Sequence, residues 1–154
     1  MGTQKLLLPY NFTDRDRNAL EFTARTFAPQ GDVEITLFHC YLSLSELPFQ
    51  DRSVTDRLKG GMGNLRAKIR ELESDLQNIR DELIERGFAP AQVRTVLRPR
   101  KKEVLDALLD LHRRERFNLI VLSRQPGRLS RFFAGSLHTK LLSALTNVTI
   151  CVVS

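Results

Sequence analysis

The stretch FNLIVLSRQPGRLSRFFAGSLHTKLLSALTNVTICVVS, residues 117–154, decides the fold. Asn118–Ser123 is a short apolar run rich in branched side chains, the composition of a strand buried on both faces. Arg124–Ala134 brings glycine, proline, serine and three arginines, and reads as a basic loop. Gly135 and Ser136 then open a helical pattern that places Leu137, Leu141 and Leu145 on one face. Asn147 stops that helix, and Val148–Val153 is a second strand-like run. A strand, a basic loop, a helix with a small-residue start and a further strand form an arrangement in which a helix N-terminus can hold an anion.

Upstream of it, Ala91–Arg98 alternates and predicts a strand. Arg98-Pro99-Arg100-Lys101-Lys102 is a basic turn into a helix carrying Val104, Leu105, Leu108, Leu109 and Leu111. Positive charge at a helix start opposes the macrodipole, so local stability does not explain the turn; a solvated loop and an anion-facing lip both fit. His112–Arg116 puts positive charge at the helix end, where the dipole favours it, and reads as structural.

Asn64–Arg86 carries Leu65, Ile69, Leu72, Leu76, Ile79 and Leu83 at spacings of four and three, an apolar stripe with charged residues on the other faces. Asn64 is placed to cap it and Gly87 to terminate it. Gly-Phe-Ala-Pro follows at once, which fits one long helix lying on a sheet better than a coiled coil. Tyr41–Gly63 is irregular and reads as a loop with a short helical turn. Its Gly60-Gly61-Met62-Gly63 cluster lacks both the following Lys-Ser/Thr and the preceding strand of a phosphate cradle.

At the start of the chain, Lys5–Pro9 is a short apolar strand and Thr13 or Asp14 caps the next helix. In that helix Ala19, Phe22 and Phe27 face inward, while Arg15, Asp16, Arg17 and Arg25 stay in solvent. Pro29–Gly31 ends it, and Val33–Cys40 is the second strand. The element order is β-α-β-(long α)-β-α-β-α-β, one α/β domain over residues 1–154 with a mostly parallel sheet and helices on both faces. The pattern alone leaves the strand order open.

At 154 residues the chain is long enough to bury about 70% of its unfolded surface. No apolar run approaches the roughly 20 residues of a membrane span, and MGTQKLLLPYNFTD is too weakly apolar for a signal peptide, so a cytoplasmic protein is expected. Cys40 and Cys151 lie in separate apolar segments without metal-ligand spacing and read as buried, reduced thiols. A net charge of +6 and a pI near 9.8 suit acidic partners without specifying nucleic acid.

These residues resemble the universal stress protein family. Its signature is a strand, Gly-x2-Gly-x9-Gly-Ser/Thr, a helix and a final apolar strand. Gly135–Ser136 match its end, whereas Leu122 and Gln125 stand where its first two glycines belong. The family's opening strand and Pro-x-Asp-x-Ser correspond to Pro9-Tyr10-Asn11-Phe12-Thr13, with Asn11 in place of aspartate, and the histidine ending its second strand corresponds to His39. The resemblance implies a three-layer, Rossmann-like fold of the adenine nucleotide alpha hydrolase type, with a five-stranded parallel sheet in the order 3-2-1-4-5. It also implies a ligand crevice between the ends of strands one and four, and a homodimer in which Val148–Val153 pairs with its copy.

The candidate binding residues are Pro9, Tyr10 and Asn11, Cys40, Ser123 and Gln125, and Gly135, Ser136 and Leu137. A Cβ at either loop glycine position adds bulk and forbids easy positive φ, and Pro126 removes a donor. Three departures at one crevice predict weak or absent ATP binding. A small oxyanion can still sit at the start of the last helix, aided by Arg124, Arg128 or Arg131. His39, His112 and His138 share no metal spacing, Ser136 lacks the pattern of a nucleophile elbow, and no catalytic constellation stands out, so an enzyme is not expected.

Three functions remain: a dimeric binding and signalling module of the stress response with weak or lost nucleotide binding; a genuine ATP binder with a variant phosphate loop; and a nucleic-acid-associated protein. The last is disfavoured, because Phe132 and Phe133 are its only loop aromatics and better suit plugging the crevice.

Overall fold

The computed structural model describes residues 2–42, 54–100, 103–124, 141 and 143–154, the side chains of residues 42, 54–60 and 62 aside. Five strands alternate with helices: β1 (Gln4–Pro9), α1 (Asp14–Phe27), β2 (Val33–Leu42), α2 (Val54–Glu85), β3 (Val93–Arg100), α3 (Val104–Glu115), β4 (Leu119–Ser123) and β5 (Thr149–Val153). All pairings are parallel, in the order β3-β2-β1-β4-β5. The expected fold class and strand order are those of the structure.

The apolar strand runs are explained by burial on both faces. Leu6, Leu8, Ile35, Leu37, Leu119 and Val121 face one cluster with Ala19, Leu20 and Ala24 of α1 and Leu76, Ile79 and Leu83 of α2. Their alternates Leu7, Phe38, Ile120 and Leu122 face a second cluster with Leu105, Leu108 and Leu111 of α3 and Leu141 and Leu145 from the end of the last helix. Alternation of side chains along each strand sorts the residues between the two layers. At about 25 cal/mol per Å2 of apolar surface removed from water, these two clusters are the main source of stability.

Helix α2 starts at Val54, ten residues before the expected start at Asn64, so Gly60–Gly63 lie inside a helix rather than in a loop. Each interior glycine costs about 1 kcal/mol relative to alanine, but propagation of a long helix tolerates that penalty. Of the predicted stripe, Leu72, Leu76, Ile79 and Leu83 are buried, whereas Leu65 and Ile69 are half-buried. Among the described side chains of α2, the fully buried ones therefore lie in its C-terminal half. The helix closes as predicted at Gly87, whose φ is 120°. The Gly87 N–H donates to the Ile84 carbonyl and the Phe88 N–H to that of Leu83, completing a Schellman motif.

Strand β3 also runs further than its alternation indicated. Arg98, Pro99 and Arg100 are not a turn: they pair in register with Cys40, Tyr41 and Leu42 of β2. Pro99 is tolerated because β3 is an edge strand. Helix α3 begins where the Glu103 N–H donates to Asp106 Oδ2 at 3.3 Å, so Asp106 supports a cap. The last helix is described only at its end, where Leu145 N–H donates to Leu141 O; Asn147, with φ of 63°, then turns the chain into β5. Among the described residues no helix is long and apolar enough to cross a membrane.

Candidate functional site

The order β3-β2-β1-β4-β5 places a topological switch between β1 and β4, and it is at the carboxyl ends of strands flanking such a switch that open α/β sheets bind ligands in a crevice. Pro9 ends β1 and Ser123 ends β4. Between them lies the start of α1. Thr13 is its N-cap, and its Oγ1 accepts the Asp16 N–H at 3.2 Å.

The β1–α1 loop and the end of β4 meet at Asp16, which the sequence reading left in solvent. It is 1% exposed. Its Oδ2 accepts the Asn11 N–H at 3.0 Å, the Thr13 N–H at 3.2 Å and the Thr13 hydroxyl at 2.8 Å. Its Oδ1 accepts the Ser123 hydroxyl at 2.6 Å. Four donors thus satisfy a buried carboxylate, as the cost of burying a charge demands. The signal was present: Thr13 and Asp16 have the spacing of a capping box, in which the residue three beyond the cap turns its side chain back onto the loop. A second tie runs from Arg15 Nη1 to the Arg124 carbonyl at 2.9 Å, and the Arg124 N–H in turn donates to the Val153 carbonyl. The first turn of α1 is therefore fastened to the exit of β4 at two points.

Tyr10, Phe12 and His39 form the neighbouring wall. Tyr10 is buried on the α1–α2 side, and burial, opposed by the Arg17 guanidinium, pushes its hydroxyl above the ordinary value. His39 Nδ1–H donates to the Tyr10 carbonyl at 2.8 Å, and burial holds its imidazole below the ordinary value. Phe12 makes edge contacts with both rings, at centroid distances of 5.2 Å in each case. It does so with φ of 61°, a left-handed conformation that carries strain in a bulky residue. His39 is thus a packed imidazole.

The structure brings Pro9, Tyr10, Asn11 and Ser123 to one end of the sheet, but their side chains diverge. Ser123 reaches the α1 side through Asp16, and the Asn11 N–H is spent on the same carboxylate. Cys40 packs on the opposite face, against the α3 cluster. Burial pushes its thiol up to about 11, so it stays protonated near neutral pH. Leu122, standing where a signature glycine was expected, is 5% exposed and packs in that same α3 layer. Gln125, Gly135, Ser136 and Leu137 lie outside the described residues, as do the loop arginines Arg128 and Arg131 and the Phe132-Phe133 pair.

A separate cavity of about 140 Å3 lies between the end of β3 and α3, lined by Arg98, Pro99, Asp106, Asp110, Leu111 and Arg114. Its two arginines share the wall with two aspartates, so Arg98, from the stretch that fitted either a solvated loop or an anion-facing lip, here lines a mixed-charge surface; Lys101 and Lys102 lie outside the described residues. Topology and the buried carboxylate favour the β1–β4 crevice as the functional centre. Among the described residues no three His, Cys, Asp or Glu side chains are grouped to hold a metal ion.

No protein-family model and no curated protein matches the chain significantly. Solved structures do. The universal stress protein UspA from Lactobacillus plantarum superposes with a TM-score of 0.70 at 13% identity, over 100% of this chain and 99% of its own. The universal stress protein from Archaeoglobus fulgidus in complex with dAMP gives 0.65 at 17% identity, covering 100% of both chains. A universal stress protein family protein from Arabidopsis thaliana with AMP bound gives 0.56 at 17%, over 98% of this chain and 92% of its own. At these identities it is the architecture that is shared: the fold of this chain is that of the universal stress proteins.

Proposed function

We propose that this chain is a universal stress protein-like dimeric binding and signalling module, not an enzyme, with weak adenine-nucleotide binding at the carboxyl ends of β1 and β4. The observation that carries this reading is the occupation of the crevice by the protein's own groups. The Asn11 N–H and the Ser123 hydroxyl, both at positions where a ligand would seek donors, are committed to Asp16. Leu122 turns its side chain into the core where a glycine would let the main chain approach a phosphate. The dAMP and AMP bound by two structures of this fold support an adenine nucleotide as the ligand class.

The sheet edges support the dimer. β3 is blunted by Arg94, Arg98, Pro99 and Arg100, whereas β5 reads TICVV, without charge or proline, and leaves Val152 44% exposed. An uncharged edge of this kind is stable in solution when a second strand covers it, and a copy of β5 across a two-fold axis is the matching partner.

Calorimetry with Mg-ATP tests the binding half. Affinity weaker than micromolar is expected. Micromolar or tighter binding, abolished by a bulky substitution at Gly135, would establish the alternative, a genuine ATP-binding universal stress protein with a variant phosphate loop.

A further inference from the structure

We infer that Asp16 is the specificity-determining residue of the crevice: its buried carboxylate selects against phosphate-rich ligands and favours the nucleoside portion of a nucleotide. The inference rests on the proposed use of the crevice and adds a residue and a rule of selection to it.

The argument begins with charge. Asp16 is 1% exposed, and all four of its described hydrogen bonds come from neutral donors: two main-chain N–H groups and the hydroxyls of Thr13 and Ser123. Among the described residues no salt bridge reaches it; the nearby Arg17 pairs with Glu82, and Arg15 donates to a carbonyl. Neutral donors do not cancel the net charge of a carboxylate. Burial is the main cause that raises the Tyr10 hydroxyl and lowers the His39 imidazole; the neighbouring Asp16 carboxylate acts upward on both. A fixed negative charge in a partly dry crevice repels a second one far more strongly than in water.

Position makes that charge selective. Asp16 Oδ1 holds the hydroxyl of Ser123, the last residue of β4, so the carboxylate sits at the point where the β4 exit and the β1–α1 loop meet. A ligand phosphate that approaches this junction meets the charge of the carboxylate behind donors it has already engaged, whereas a neutral nucleoside meets no such repulsion. With its described acceptor positions filled, Asp16 offers a ribose hydroxyl a bond only by giving up Ser123. Its effect is therefore exclusion of anions rather than capture of sugar.

The test compares adenosine, AMP and ATP, without magnesium, binding to the full chain, with Asp16→Asn and Ser123→Ala as variants. Asparagine keeps an oxygen for the Asn11 and Thr13 donors and an amide that can donate to Ser123, so it removes charge with little change of shape. In the wild type, affinity is expected to fall from adenosine through AMP to ATP. In Asp16→Asn, ATP affinity should rise by about tenfold, the order expected for removing one unit charge a few ångströms from a phosphate at a partly screened site. Adenosine affinity should change by less than about twofold, since it carries no charge to repel. Ser123→Ala, which keeps the charge and breaks the tie, should still reject ATP. Wild-type protein that prefers ATP to adenosine overturns the inference even if the Asn variant does not fold. So does an Asn variant with an unchanged ATP-to-adenosine ratio, or a Ser123→Ala variant that relieves the rejection equally. In those cases measurable binding leaves the crevice reading intact. Absence of binding for all three compounds to all three proteins overturns both.

Discussion

Replacing Leu76 by alanine tests whether α2 is a structural layer or an interaction helix. Leu76 is 1% exposed and belongs to the cluster that contains Leu8 and Leu37 of the sheet and Leu20 of α1. Its truncation removes a buried side chain from between two rigid layers, where collapse onto the gap is limited. Losses of about 2–5 kcal/mol are usual for such changes, and this setting points to about 3–4 kcal/mol. For a domain of this size that corresponds to a fall in Tm of about 6–16 °C. Leu65→Ala, on the half-buried part of the same stripe, should cost only about 1 kcal/mol. Denaturant melts of the two variants, with light scattering on each, provide the assay. If Leu76→Ala costs no more than Leu65→Ala but alters the oligomeric mass, the stripe is an interface and the packing argument fails.

Wild-type protein at micromolar concentration should scatter as a dimer, and Val152→Lys should yield monomer or aggregate; a monomeric wild type would sink the edge-pairing argument. Gly87→Ala should lose about 1 kcal/mol or more, because φ of 120° is strained for any Cβ and the added carbon would sit 3.4 Å from that of Ala28; an unchanged melt would contradict the role given to the Schellman motif. Burial holds His39 and His112 below the ordinary histidine value of 6.5, so each binds a proton more readily in the unfolded chain. Their contribution is therefore fully present above that value and is lost as pH falls from it toward the lowered values. Denaturant midpoints at about pH 7.5 and about pH 5.5 should show this loss, reduced in His39→Asn; an equal loss in that variant would remove His39 from the explanation.

Much of the fold was legible because burial on both faces leaves a plain mark. Runs such as LLL in β1 and LIVL in β4 have few other structural homes, and Gly87 stands where a helix must end. What was misread depended on partners distant in sequence. Asp16 looks like one more charge in a wet helix turn until Ser123, over a hundred residues away, arrives opposite it. Arg98-Pro99-Arg100 reads as a turn because its basic, proline-containing composition hides the pairing that β2 supplies. Gly60–Gly63 reads as part of a loop because propensity is local, whereas continuity of a long helix is cooperative. Of the candidate site, Tyr10, Asn11 and Ser123 follow from the strand ends. Cys40 does not join them, because strand alternation turns it to the other layer.

The central claim is that an adenine nucleotide binds weakly at the carboxyl ends of β1 and β4. Amide chemical-shift mapping during titration with AMP tests it most directly. The account predicts shifts concentrated at Asn11, Phe12, Thr13, Asp16, Ser123 and Arg124, still moving at millimolar ligand, with the α2 surface and the β3–α3 cavity unaffected. Shifts clustered at Arg98, Asp110 and Arg114, or saturation at the β1–β4 crevice by micromolar AMP, would contradict it.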